Sequence, residues 1–440
     1  MVTAIPQGVR KSRVRATNLL LTFSLYALLF GPKFTSGIDL TVLSAFLWAT
    51  VTCVYICVKG TVNKDLLTFS TLNLILGLYA SLVIAIVSYD SSLTGNFQLG
   101  FFKAIIYILA ANGIYIAYQR LYNDTAPNKL IVDIFRCTVI VSLTVNIFAI
   151  NLPLRQAAYS TVDLYIFKNT SDFDKINRIS DLSIGGSTIS LIFCMGIFLA
   201  IGSLLFKSHS FNSYLKILAA IVSLWISTLL TARTGFLLIS PILLLLFVFA
   251  LYKKPAVFFK MLFVLLLGAT PGAIYFAIYG LPESLIKSYI TFKDFILPWA
   301  FQYLYLYIEN GFSETVNKGS LNAMITQFRF PEQVTQIIFG FGNPRFSTNT
   351  DSIFLNILLS TGLIGLSIFF LIITSIFLPI TRKTTPENQF IAGAAFLVFL
   401  IGNLKEGFYG HSRGAIIIIF LIVLLCEAKH SYKKYSIKRN

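Results

Sequence analysis

"NPRFSTNTDSIFLNILLSTGLIGLSIFFLIITSIFLPI", residues 343–380, decides how this chain is read. Its first nine residues, 343–351, are mostly polar and carry Arg345 and Asp351. The next 29, residues 352–380, carry no charge. A helix of about 20 apolar residues crosses the hydrocarbon core of a bilayer. Residues 352–380 therefore predict a membrane-spanning helix bearing Gly362 and Gly365. Asp351 or Ser352 is placed to cap its start. Ionisable groups this close to a bilayer are costly, so they face an interior cavity or reach for the headgroups.

The same pattern fills the rest of the chain. Of 440 residues, 56% are hydrophobic and 12% charged, and the mean hydropathy is +0.78. That composition excludes an ordinary soluble domain. The fold class expected is all-α and polytopic, a single integral membrane domain over residues 1–440. Apolar runs predict about 12 transmembrane helices, at 17–31, 39–59, 66–88, 98–118, 130–150, 185–206, 214–231, 235–252, 256–279, 352–380, 389–404 and 412–428. The basic, then apolar N-terminus lacks a small-residue cleavage site and reads as an uncleaved first span.

A net charge of +17 raises the question of nucleic acid. The distribution of the charge answers it. Arg10, Lys11, Arg13 and Arg15 precede the first span, and basic residues recur in every second loop: Lys59 and Lys64, Arg120 and Lys129, Lys207 and Lys216, Lys253, Lys254 and Lys260, Arg382 and Lys383. This is the signature of the positive-inside rule, so both termini are expected in the cytoplasm and no nucleic acid partner is expected. The five cysteines, Cys53, Cys57, Cys137, Cys194 and Cys426, all lie in apolar runs. They read as small buried hydrophobes, with no disulfide framework and no metal site.

Two loops on the far side of the membrane are long, residues 151–184 and residues 281–351. Loops of that length are functional or form small domains. The second is rich in aromatics ("PWAFQYLYLYIENGF", residues 298–312), and its apolar spacing predicts amphipathic helices along the interface. "NKGSLNAMITQFRF", residues 317–330, predicts another, starting near Asn317 or Ser320.

Four clusters of polar groups on that side are not explained by topology. In "STLLTARTGFLLISP", residues 227–241, a tight turn puts Arg233 at the far side, against the charge rule. A guanidinium there is an anion site or an interfacial snorkelling arginine, and Thr231 and Thr234 could add hydroxyl donors. In "DKINRISDLSIGGSTISL", residues 174–191, Arg178 precedes small residues at the start of a span, where an anion is also favoured. Residues 339–352 hold Arg345 and Asp351 behind two glycines. "GNLKEGFYGHSRG", residues 402–414, holds Lys405, Glu406, His411 and Arg413 between the last two spans. Lys405 and Glu406 could pair with each other, and His411 is a base or a solvated loop histidine. Arginines suit a pyrophosphate, aromatics the apolar faces of sugars, and carboxylates sugar hydroxyls. The combination points to a lipid-pyrophosphate-linked glycan handled at the outer face of the inner membrane.

At these residues the sequence resembles the O-antigen polymerase (Wzy) and O-antigen ligase superfamily. "TLLTARTGFLLISPILLLL", residues 228–246, is similar to the family's Ser/Thr-x-Arg turn followed by an apolar span. "IIFGFGNPRFSTNTDSIFLNILLSTGLIGLSIFF", residues 337–370, is similar to its glycine-containing loop, polar site residue, span and Gly-x-x-Gly. The layout of about twelve spans with two large periplasmic loops is also similar. Ligases of the superfamily carry a histidine before the late span. Thr350-Asp351-Ser352 stands there instead, which favours polymerase.

The resemblance implies a GT-C-like, metal-independent glycosyltransferase of the inner membrane, without cofactor. It would join undecaprenyl-pyrophosphate-linked repeat units for lipopolysaccharide or a related surface polysaccharide. It implies Arg233 and Asp351 as catalytic residues, and Arg178, Arg345, Arg329, Lys405 and His411 as substrate-binding residues. The implied partners are the lipid-linked glycans, membrane lipid and a polysaccharide chain-length regulator. The alternatives are a lipid-linked oligosaccharide flippase and a ligase.

Overall fold

The computed structural model describes residues 7–60, 64–87, 95–163, 182, 186–253, 255, 259, 263, 333–342, 352–382 and 386–405. These residues are nearly all helical. In chain order the helices are α1 (Gln7–Phe30), α2 (Leu40–Lys59), α3 (Lys64–Val87), α4 (Gly95–Tyr122), α5 (Ala126–Ile150), α6 (Leu152–Thr161), α7 (Gly186–Phe206), α8 (Phe211–Thr231), α9 (Arg233–Lys253), α10 (Val334–Phe339), α11 (Ile353–Arg382) and α12 (Pro386–Lys405). Among the described residues, seven helical stretches are long and apolar enough to cross a membrane. One of them, Gly100–Ile150, is α4 and α5 joined through the 3-10 turn at Asn123–Thr125. Shorter apolar helices run over Ala16–Phe30 and Thr234–Leu245. The protein is thus an all-α membrane-embedded chain. The expected span at 412–428, the span at 256–279 apart from residues 259 and 263, and most of the two long loops lie outside the described residues.

Local chemistry sets the helix ends. Asp39 caps α2, its carboxylate accepting from Thr41 N at 3.0 Å and Val42 N at 3.2 Å. Gly60 ends α2 in the left-handed region, φ 63°, and donates to Ile56 O at 2.8 Å. Asn151 ends α5 and caps α6, accepting from Leu154 N at 3.0 Å.

α7 is the axis of the bundle. From Thr188 to Gly202 every residue is buried, and its neighbours are α5, α8, α9 and α12. An all-round apolar helix belongs in such a place. Its glycines admit the neighbours closely. A Cβ at Gly196 would meet Thr138 Cγ2 at 2.9 Å, and one at Gly202 would meet the Phe390 ring at 3.2 Å. α1 to α5 form the other half, with α2 and α4 in close contact. There Thr52 donates to Leu109 O at 2.6 Å, and a side chain at Gly113 would collide with the Trp48 carbonyl. α11 joins the halves by packing on α3 and α12. The outer faces of α2 and α3 (Phe46, Leu47, Val54, Leu78, Leu82, Ile86) remain exposed, as a lipid-facing surface requires.

Two sequence expectations change. Cys53 and Cys57 are exposed on α2 rather than buried, whereas Cys137 and Cys194 are buried as expected; all four are free thiols. The span at 352–380 is not one continuous helix. α11 breaks at Gly362, where φ is 65° and ψ −165°, a region open essentially to glycine alone.

Candidate functional site at one face of the bundle

Helix pairing defines two faces. Ser190 on α7 donates to Ala232 O at 3.1 Å, so α7 begins beside the turn from α8 to α9. Lys207 at the far end of α7 pairs with Glu387 at the start of α12, 2.7 Å apart. α12 therefore ends near the start of α7. Ser352, just before α11, donates to Asn403 O near the end of α12 at 3.3 Å. The starts of α7, α9 and α11 and the end of α12 thus share one face, the Arg233 face. Three helix N-termini there place their unpaired N–H groups and positive dipole ends on one side.

The turn is tighter than the sequence suggests. α8 ends at Thr231, Ala232 alone is extended, and Arg233 is already the first residue of α9. Of Arg233 the backbone alone is described, as for Lys405, the last residue of α12. Asp351, Arg345, Arg178, Arg329 and His411 lie outside the described residues. The structure thus brings the backbones of Arg233, Lys405 and Ser352, the neighbour of Asp351, to one face.

The expected donor role of Thr231 is not what the structure gives. Its hydroxyl is fully buried and donates back to Ser227 O at 2.8 Å. Thr231 belongs to a polar column that the sequence analysis missed. Ser142 Oγ lies 2.8 Å from both Ser223 Oγ and Ser227 Oγ. Asn146 donates to Ser223 Oγ at 2.9 Å. The Ser227 hydroxyl has Ser223 O and Asn146 Oδ1 at 3.0 Å and Ser142 O at 3.1 Å within reach. Cys194 Sγ reaches Gly235 O at 3.2 Å. A side chain at Gly235 would meet Ser190 O at 2.6 Å. The column pins α5, α7, α8 and α9 together directly beneath Arg233. Its signal was in the sequence: Ser142–Asn146 and Ser223–Ser227–Thr231 recur every four residues, a polar stripe on each helix. Interhelical hydrogen bonds in membranes contribute ~0.6–2 kcal/mol each. Ser227→Ala is therefore expected to lower stability in detergent by ~1–2 kcal/mol, seen as a lower melting temperature. An unchanged melting temperature would deny the column any weight.

Arg155 was also missed. It stands on α6, half-buried, and burial pushes its guanidinium down from its ordinary value while the Tyr159 phenol acts the other way. Tyr159 seats α6 by an edge contact with Phe148, ring centres 5.6 Å apart. Beyond α6 the chain is tied to the α1–α2 loop. Phe34 bridges to Val162, and Lys33 pairs with Asp163 at 2.8 Å.

With this geometry the class is defined: an all-α membrane-embedded protein with a polar face built on helix ends. Comparison adds no family to that class, since no family model and no curated protein matches the chain.

Proposed function

We propose that this protein is a polysaccharide polymerase of the bacterial inner membrane, acting on undecaprenyl-pyrophosphate-linked repeat units at the periplasmic face. One observation carries the reading. Arg233 opens α9 one residue after α8, on the face where α7 and α11 also begin, above a hydrogen-bonded column that fixes its backbone. An arginine at a helix N-terminus suits phosphate oxygens through both its donors and the dipole.

In this reading Arg233 holds the donor pyrophosphate. The bond between the sugar's anomeric carbon and the phosphate oxygen breaks, and the electron pair leaves with undecaprenyl pyrophosphate. Arg233 stabilises that developing charge. A hydroxyl on the non-reducing end of a second lipid-linked unit forms the new glycosidic bond, and Asp351 orients it or takes its proton. Arg178, Arg345, Arg329, Lys405 and His411 bind the remaining phosphate and sugar groups. A chain-length regulator is the partner expected to set the product size. Holding two lipid-anchored substrates in one plane supplies much of the rate.

A second reading, a lipid-linked oligosaccharide flippase, is favoured by the break in α11, because discontinuous membrane helices are common in transporters. Surface polysaccharide from a strain lacking the gene separates the two. Lipopolysaccharide core carrying a single repeat, restored to a ladder by the wild-type gene, is expected of a polymerase. Bare core would sink the polymerase reading in favour of a flippase or ligase.

A further inference from the structure

The break in α11 is a socket, and a distant piece of chain fills it. In an unbroken helix the carbonyls of Leu359, Ser360 and Thr361 accept from the N–H groups four residues on. At Gly362 that ladder is interrupted. All three carbonyls are taken up from outside the helix. Phe341 N donates to Leu359 O at 2.7 Å, Gly342 N to Ser360 O at 3.2 Å, and the Tyr79 hydroxyl to Thr361 O at 3.3 Å. Irregular backbone at membrane depth is tolerated only where it is covered in this way.

The fit depends on glycines at both sides of the contact. Gly340 (φ 83°, ψ −179°) and Gly362 occupy the same glycine-only region. A Cβ at Gly340 would meet Ser360 C and Thr361 N at 2.5 Å, and a Cβ at Gly362 would collide with the Ile338 carbonyl. Gly342 (φ 61°) lies against α3, where a Cβ would meet Val87 Cβ at 2.5 Å. Ser360 Oγ, fully buried beside the break, has no hydrogen-bond partner among the described residues.

Gly342 and Ser352 are joined by only nine residues. Ser360 lies two turns along α11 from Ser352, about 12 Å at 1.5 Å per residue. The segment 340–342 therefore reaches well below the start of α11 before the chain returns to it. We infer that α10 and residues 340–342 form a re-entrant clamp docked in the α11 break, and that Tyr79, Gly340, Gly342 and Gly362 are positioning residues. They set the depth from which the chain rises to the Arg233 face. The functional part of this inference rests on the polymerase reading; the docking part does not.

The test uses Ser360→Cys in a cysteine-free version of the full chain, in native membranes, with a membrane-permeant maleimide. With the clamp docked, the thiol is covered and labels slowly. Gly340→Ala or Tyr79→Phe is expected to raise the labelling rate about tenfold by favouring local opening. Tyr79→Phe removes a single hydroxyl and decides the matter if Gly340→Ala does not accumulate. Gly342→Ala, strained at φ 61° and pressed against Val87, should also label fast. In parallel, Tyr79→Phe should shorten the surface-polysaccharide ladder. Unchanged labelling in Tyr79→Phe, and in Gly340→Ala where that variant accumulates, overturns the clamp, whatever the protein's activity. Faster labelling with a wild-type ladder overturns the positioning role. Bare core in the gene-deletion strain sinks the polymerase reading and leaves the labelling result standing.

Discussion

Arg233→Ala is expected to leave the protein in the membrane and, on the proposed polymerase function, to abolish long polymer and reduce the product to single-repeat lipopolysaccharide. Ala232 makes the turn, and the hydroxyls beneath it bond to one another and to backbone carbonyls. The described part of that network is made of hydroxyls and backbone carbonyls of other residues, so the truncated variant is expected to insert and accumulate normally. Its loss would fall on the reaction. Removing one preorganised group that stabilises developing charge costs on the order of 10²–10³ in rate. Arg233→Lys keeps the charge but loses the planar fork, so it should recover only a fraction. A wild-type ladder from Arg233→Ala, at wild-type protein level, would remove this residue from the mechanism.

The second large effect lies near the turn from α4 to α5 and concerns stability. Asp133 on α5 has a side chain only 1% exposed. It accepts from Tyr118 of α4 at 3.0 Å, from Lys129 at 2.8 Å and from Arg136 at 3.0 Å. Lys129 also stacks over the Tyr122 ring at 5.8 Å, and the Tyr122 hydroxyl bonds to Asn18 of α1. The carboxylate thus ties α4 to α5, and through Lys129 and Tyr122 the cluster reaches α1. Arg136 is 60% exposed, so Arg136→Ala alone should cost no more than about 1 kcal/mol. Lys129→Met with Arg136→Met is different. It leaves a buried carboxylate with no cation among the described residues, which costs ~3–5 kcal/mol. The double variant should fail to run as a single species on size exclusion. Adding Asp133→Asn, which removes the stranded charge, should restore most of the yield. A double variant as stable as wild type would show that the cations are ornaments of topology.

These two sites differ in how far the sequence announces them. Arg233 is conspicuous because a cation stands at a tight turn between two apolar runs, where the charge rule disfavours one. Lys129, Asp133 and Arg136 are spaced for one helix face, but the burial of Asp133 comes from Tyr118 on another helix, which spacing within α5 cannot convey. The spans themselves were legible because lipid demands a long apolar run wherever the chain crosses. Among the described residues seven helical stretches are long and apolar enough to cross a membrane, one of them holding two expected spans, while the expected spans at 17–31 and 235–252 meet shorter apolar helices; the span at 412–428 lies outside the described residues, and that at 256–279 is described only at 259 and 263. The break at Gly362 was not legible. A glycine in an apolar run reads as a close-packing residue, and its meaning depends on Phe341, Gly342 and Tyr79, the last 282 residues away. The exposure of Cys53 and Cys57 was misread for a related reason: apolar composition does not distinguish a side chain facing protein from one facing lipid. The polar residues beside Ser352 remain a proposal of sequence alone, since Arg345 and Asp351 lie outside the described residues.

The burial of α7 bears on how the chain is made. Synthesis runs from the N-terminus, so α7 enters the bilayer before α8, α9, α11 and α12 exist. At 5–20 residues per second, α12 follows on the order of ten seconds or more later. Through that interval the helix destined for the centre must stand in lipid, with Gly196 and Gly202 as open notches. Its high hydropathy, 2.5 over the span, makes it a self-sufficient insertion unit although most of it is covered by other helices in the finished bundle. The last helices then close over a post already standing. A polar substitution on α7 that the mature interior could tolerate would strike earlier, at the ribosome-bound stage, and appear as lost protein instead of lost activity.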